Sequence, residues 1–219
     1  LEEAAAWARE FAGDRVWSGR VKMFMDGVVE SYTAFMLEPY PGRPETRGEA
    51  LFEAGHFAEA CRRADALGLQ IAVHAIGDAA VRRTLDGYAA AREANGPRDA
   101  RHRVEPVETL VPADLPRFAE LGVVASMQPL HSPLGGLFPV PARETILRGA
   151  QLPLAFAWRD IRDTGATLIF STDWPVAPLP VMRSIQGAVA TAGLDGPWGD
   201  QRQTLMEALD SYTRLGAWT

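Results

Sequence analysis

Cysteine is almost missing from this sequence. Cys61 stands alone, so no internal disulfide framework can form. That fits a reducing compartment, or a core large enough to need no covalent staples; a cytoplasmic protein is expected. Long apolar runs are missing too. Nothing approaches the roughly 20 residues that span a bilayer, so no membrane partner is expected. The opening stretch LEEAAAWAREFAG reads as an acidic amphipathic helix and has no basic n-region, which argues against a signal peptide. It also has no initiator Met, so the chain is expected to be a piece of something longer. Clusters of Lys and Arg are lacking, which removes nucleic acid as a partner. No fixed repeat and no low-complexity tract occurs. No G-x-G-x-x-G or P-loop follows a strand-like segment, and nucleotide-binding folds lose ground accordingly.

What remains is ordinary globular material: 219 residues, 47% hydrophobic and 23% charged, with a net charge of −6 spread along the chain. Periodicity gives strands alternating with helices. Strand-like runs fall at 19–27, 69–78, 101–105, 123–129 and 165–175. Helical patterns fall at 47–68, 78–96, 112–122, 178–190 and 202–216, with two further helical stretches within 143–164. Asp78 is a candidate N-cap and Asn95-Gly96 a stop. This order argues for a parallel α/β sheet, either open and doubly wound or part of a (β/α)₈ barrel. The strands are nearly continuously apolar, which predicts cover on both faces. Lys22, Asp26, His74, Glu105, Gln128 and Asp173 lie at or near strand C-termini, the face on which barrel enzymes build their sites. A full barrel typically takes about 250 residues. Five units here therefore predict an open partial barrel.

Three of these residues can carry metal chemistry. His74 in AVHAIGD and Asp173 in FSTDWPV are ordinary zinc donors. Lys22 in VKMFMDG can ligate only if CO₂ converts its ammonium to a carbamate. Water on such a metal becomes a hydroxide near neutral pH, and a nearby carboxylate can take its proton. Each residue also has a plainer reading. His74 could be a hydrogen-bonded core residue, Asp173 a turn cap, and Lys22 a surface cation on an apolar stem.

The ordered segments VKMFMDGVVESYTA, HAIGDAAVRRTLD, RHRVEPVE, SMQPLHS, AWRDIRDTGATLIFSTDWPVAPL and ALDSYTRLGAW resemble the amidohydrolase superfamily, in its YtcJ-like or amidohydrolase family 3 branch. The resemblance runs over essentially the whole chain. It implies a metal-dependent (β/α)₈ hydrolase, usually with a small β-sandwich, that cleaves the C–N bond of an amide, cyclic amide or formamide. It further implies that residues 1–219 are the C-terminal part of the barrel, strands four to eight, with the first three strands and any β-sandwich outside this sequence. Lys22 resembles the carboxylated lysine that bridges two metals, His74 the fifth-strand ligand, and Asp173 the eighth-strand aspartate that ligates metal and shuttles the proton. One or two divalent ions, zinc foremost, are the implied cofactor.

Two departures stand out. The first-strand His-x-His pair has no counterpart, the other histidines being His56, His102 and His131. The sixth-strand histidine of an R-x-R-[IV]-E-H pattern falls on Pro106, which has no donor atom. His102 shares its parity, but four strand residues span about 13 Å against a ligand distance of about 2 Å, so it is not expected to substitute. His131, in the family's M-Q-P-x-H segment, reads as a substrate contact or transition-state donor, or as loop packing. Asp26 reads as a residue that orients Lys22 or touches substrate, or as an Asp-Gly turn. Trp174 and Phe138 read as walls of an apolar pocket. The expectation is a metal-dependent amidohydrolase acting on a small amide-type molecule, with the partner either a second copy or the missing N-terminal segment. On its own, this chain should bind metal weakly and be inactive. The rival expectations are a catalytically impaired member serving as a binding or scaffold subunit, and a one-metal hydrolase that needs no sixth-strand ligand.

Overall fold

The protein is described from a computed structural model over residues 1–132, 135, 146, 154–190 and 199–219. Five strands form one parallel sheet in sequence order: β1 (Arg20–Phe24), β2 (Gln70–Ala75), β3 (Arg103–Pro106), β4 (Val124–Met127) and β5 (Leu168–Phe170). Helices lie between them: α1 (Glu2–Glu10) precedes β1, α2 (Ala54–Ala66) and α3 (Asp78–Asn95) flank β2, α4 (Leu115–Leu121) precedes β4 and α5 (Trp158–Asp163) precedes β5. After β5 come α6 (Met182–Val189), α7 (Leu205–Tyr212) and α8 (Arg214–Trp218).

Strand alternation divides the side chains between two faces. One face packs on the helices. Val21 and Met23 of β1, Ile71, Val73 and Ala75 of β2, Val104 of β3, Ala125 and Met127 of β4, and Leu168 and Phe170 of β5 all join the same apolar core. On β2, β4 and β5 the opposite face is largely buried too, as expected of nearly continuous apolar strands, and β1 is the clear departure. On β1 it carries Arg20, Lys22 and Phe24, all exposed, with Phe24 at 51%. The physical reason is position: among the described residues β1 has a strand neighbour only in β2, and the helices lie on its other side.

Two helices depart from the expected bounds. The pattern at 47–68 becomes helix only from Ala54, because residues 47–50 are irregular and 51–52 form a bend. Met36 N–H donates to Arg47 O, and Leu51 N–H donates to Met25 O, so these groups serve the β1 loop instead of a helix. Asp78 is the first helical residue and Gly77 the cap. The Asp78 carboxylate instead accepts from the backbone N–H of Leu37 and of Ala79, at 2.8 Å each. The stop at Gly96 holds, with φ of 85° that only glycine adopts freely. Segment 112–122 starts as a 3-10 turn at Pro112–Asp114 and ends at left-handed Gly122. Of 143–164, α5 and residues 146 and 154–157 are described; the first of the two expected helices lies outside the described residues.

Candidate active site at the strand ends

The C-terminal ends of β1 and β2 are tied together through Asp26. Its carboxylate accepts from Phe35 N–H and Gly77 N–H at 2.8 Å and from Ile76 N–H at 3.0 Å. The turn at Gly77 leaves no room for a side chain, since a Cβ there would lie 2.0 Å from Phe35 O. Asp26 is buried at 2% exposure. Burial pushes its carboxyl up to about 7 against those three N–H donors, and the charge of Glu108 adds to the rise. Asp26 thus ties the strand ends together at the wall of the site.

His74 is half-buried one residue before the end of β2, with Nε2 3.0 Å from Gly27 O and 3.8 Å from Asp26 Oδ1. A carbonyl can only accept, so Nε2 is the donor in this contact. The ring stacks on Phe24 at 5.2 Å. Lys22 lies in the middle of β1 instead of at its end. Its Nζ is 2.5 Å from Glu105 Oε2, and the other Glu105 oxygen is 2.7 Å from Arg103 Nη2. Burial opposes the charge on Glu105, but Arg103 and Lys22 together hold its carboxyl below the usual range.

Pro106 is buried at the end of β3, joined to Glu105 by a cis peptide, and aligns with the core residue Ala75. Glu105 aligns with His74 and so shares its face. His102 is committed elsewhere: its Nδ1 accepts from Ile71 N–H at 3.1 Å and its Nε2 lies 3.2 Å from Asp65 Oδ1. It therefore does not replace the ligand missing at 106. His131 is buried, with Nδ1 3.6 Å from Glu108 Oε1. Asp173 and Trp174 are exposed, Trp174 at 66%, on the turn after β5. Asp173 has φ of 55°, and its carbonyl accepts from Val176 N–H at 2.7 Å. Gln128 Nε2 donates to Ser171 Oγ at 2.8 Å, joining the ends of β4 and β5. Phe138 lies outside the described residues.

The fit to a metal pair fails on the residues present. Among the described residues no three His, Cys, Asp or Glu side chains converge to hold a metal ion. Position 106 offers no donor, and the Lys22 nitrogen is held in an ion pair. Glu105 and Arg103 are the residues that sequence reasoning left without a role. Their signal was the charged-apolar alternation of RHRVE, which places both on one face.

The fold and the placement of these residues describe a hydrolase-type α/β barrel segment, and the comparisons give its family. A model of the amidohydrolase family matches residues 2–219, and the chain belongs to that family. YtcJ of Bacillus subtilis (strain 168) is 29% identical over 95% of this chain and 39% of its own length. Protein LONG AFTER FAR-RED 3 of Arabidopsis thaliana is 34% identical over 80% of this chain and 29% of its own. The crystal structure of an uncharacterized metal-dependent hydrolase from Pyrococcus furiosus superposes with a TM-score of 0.81 at 31% identity, covering 99% of this chain and 44% of that one. This chain thus spans less than half the length of these relatives, and its five β/α units are part of a (β/α)₈ barrel.

Proposed function

We propose that the protein containing this chain is a metal-dependent hydrolase of a non-peptide C–N bond in a small amide, cyclic amide or formamide. The observation that supports this reading is the placement of His74 at the C-terminal end of one strand and of Asp173 on the turn after another strand of the same parallel sheet, where barrel enzymes do chemistry. Zinc is the proposed ion, bound with donors from outside this chain, and it would supply Lewis acidity and an activated water. For this chain's own residues, Asp173 is exposed on its turn and free to carry a proton to a leaving nitrogen. His131, buried against Glu108, is proposed as a hydrogen-bond partner for substrate, and Trp174 as an apolar rim. Unpaired Cys61 agrees with a reducing, cytoplasmic setting, which is part of the proposal.

The test is a panel of N-acyl amino acids, cyclic amides, formamides and matched esters, assayed with the longer protein. Amide hydrolysis should appear, and Asp173→Asn should lower it by about 100-fold or more. Cleavage of the esters alone, or an Asp173→Asn variant with full activity, would overturn the proposal. A second reading, an impaired member acting as a binding subunit, is favoured by one observation: Pro106 stands at a ligand position and lies on the core side of the sheet. If the longer protein binds metal tightly only after Pro106→His, that second reading replaces the first.

A further inference from the structure

We propose that Lys22 is held by Glu105 and is not carboxylated, so that it does not bridge a metal pair in the site to which this chain contributes. The inference rests on the family reading only for the arrangement that it replaces.

The geometry is a continuous polar chain across three strands. Lys22 Nζ of β1 meets Glu105 Oε2 of β3 at 2.5 Å. Glu105 Oε1 meets Arg103 Nη2 at 2.7 Å, and Arg103 Nη2 donates on to Ser126 Oγ of β4 at 3.0 Å. The Nζ also lies 5.5 Å from the centre of the Phe24 ring, whose face favours a cation. Glu105 and Arg103 side chains are 20% and 12% exposed, so the carboxylate is bound in place and not a loose surface partner.

Carboxylation would form a bond between Nζ and the carbon of CO₂ and send the displaced nitrogen protons to water. The side chain would change from one positive to one negative charge. At this position the new carboxylate would face Glu105, converting the closest attraction on this face into a repulsion. Two bound metals could offset that charge only if donors held them. Within this chain Pro106 has none, and among the described residues no three His, Cys, Asp or Glu side chains converge, so a pair would need most of its donors from outside it. The lack of a donor at 106 and the pairing of Lys22 with the residue before it thus act together. Glu105 supplies the lysine's counter-charge from within the protein.

The experiment is carbon-13 NMR of this chain, and of the longer protein containing it, in labelled bicarbonate with and without zinc, alongside metal analysis. The expected result is no carbamate resonance under any condition and at most one metal per chain. A bicarbonate-dependent resonance that vanishes in Lys22→Arg overturns the proposal. Thermal melts of Lys22→Met, Glu105→Gln and the double variant give a second readout. The double variant should lose no more than the worse single variant, and additive losses would overturn the ion pair. The two readings fail separately. A protein that cleaves no amide sinks the proposed activity and leaves this result untouched. A carbamate at Lys22 removes the ion pair and leaves the activity standing.

Discussion

Replacing His102 by Gln should change how stability depends on pH, and the size of the change follows from the ring's surroundings. His102 is 7% exposed. Its Nδ1 accepts from Ile71 N–H, so the ring hydrogen sits on Nε2 and points at Asp65. A second proton would have to enter at Nδ1, directly against that N–H. Burial drives the imidazole down to about 4, with Asp65 pulling the other way. Between about pH 6.5 and 4 the unfolded chain therefore carries a proton here that the folded chain does not. Stability rises with pH wherever the unfolded state binds more protons. The contribution is complete above about 6.5, fades as pH falls, and is gone near 4. A move from 6.5 to about 4 is worth about 3 kcal/mol. That is a large share of the 5–15 kcal/mol that holds a typical domain. Urea unfolding followed by tryptophan fluorescence, at half-unit steps from pH 7.5 to 4, measures it. His102→Gln should be clearly less stable than wild type at pH 7.5, and the gap should close by about 3 kcal/mol by pH 4. Groups common to both proteins cancel in that difference, Asp26 included. A gap that stays constant to within about 0.5 kcal/mol across the window would refute the reasoning.

Asp26 should behave with the opposite sign. Its carboxyl is raised to about 7 from an unfolded value near 4, so its stabilisation is complete below about 4 and is lost as pH rises through 7. Asp26→Asn lacks that term, and urea curves should show the wild-type advantage shrinking by about 4 kcal/mol between pH 4 and 7. Asp26→Ala should be worse at every pH, because three backbone N–H groups lose their acceptor at about 1–3 kcal/mol each. At the α2–α3 contact, a Cβ on Gly87 would lie 2.4 Å from the Phe57 ring. Gly87→Ala should therefore cost about 1–3 kcal/mol of overpacking, read as a lower melting temperature.

The sheet was legible because its signal is local. Each strand core is a short apolar run, and each is followed by a turn or helix with its own punctuation, as at Gly77–Asp78 and Asn95–Gly96. The order β1 to β5 then follows from the preference of successive β/α units to lie side by side. The parts that misled are those fixed by distant partners. Nothing within residues 47–53 says that Arg47 and Leu51 will bond to Met36 and Met25, yet those bonds decide that helix α2 waits until Ala54. Asp26 is a second case. An Asp before Gly reads as a turn or a substrate contact. Its role depends on three amides from residues 35, 76 and 77, which only the folded chain brings to it.

The site turns on a parity. In R-V-E-P the strand period assigns Arg103 and Glu105 to one face and Val104 and Pro106 to the other. Family position alone puts the ligand at 106, which is why the proline reads from sequence as a simple vacancy. The fold adds that residue 105 already faces His74 and Lys22, and that it carries a charge. Pro106 supplies no donor. The carboxylate at 105 supplies Lys22 with a counter-ion. The sequence contains both residues, but the consequence depends on a contact between β1 and β3 across 83 positions of chain. At this face the Lys22 nitrogen is paired with Glu105, and a metal would need donors beyond His74 and Glu105, since among the described residues no three such side chains converge.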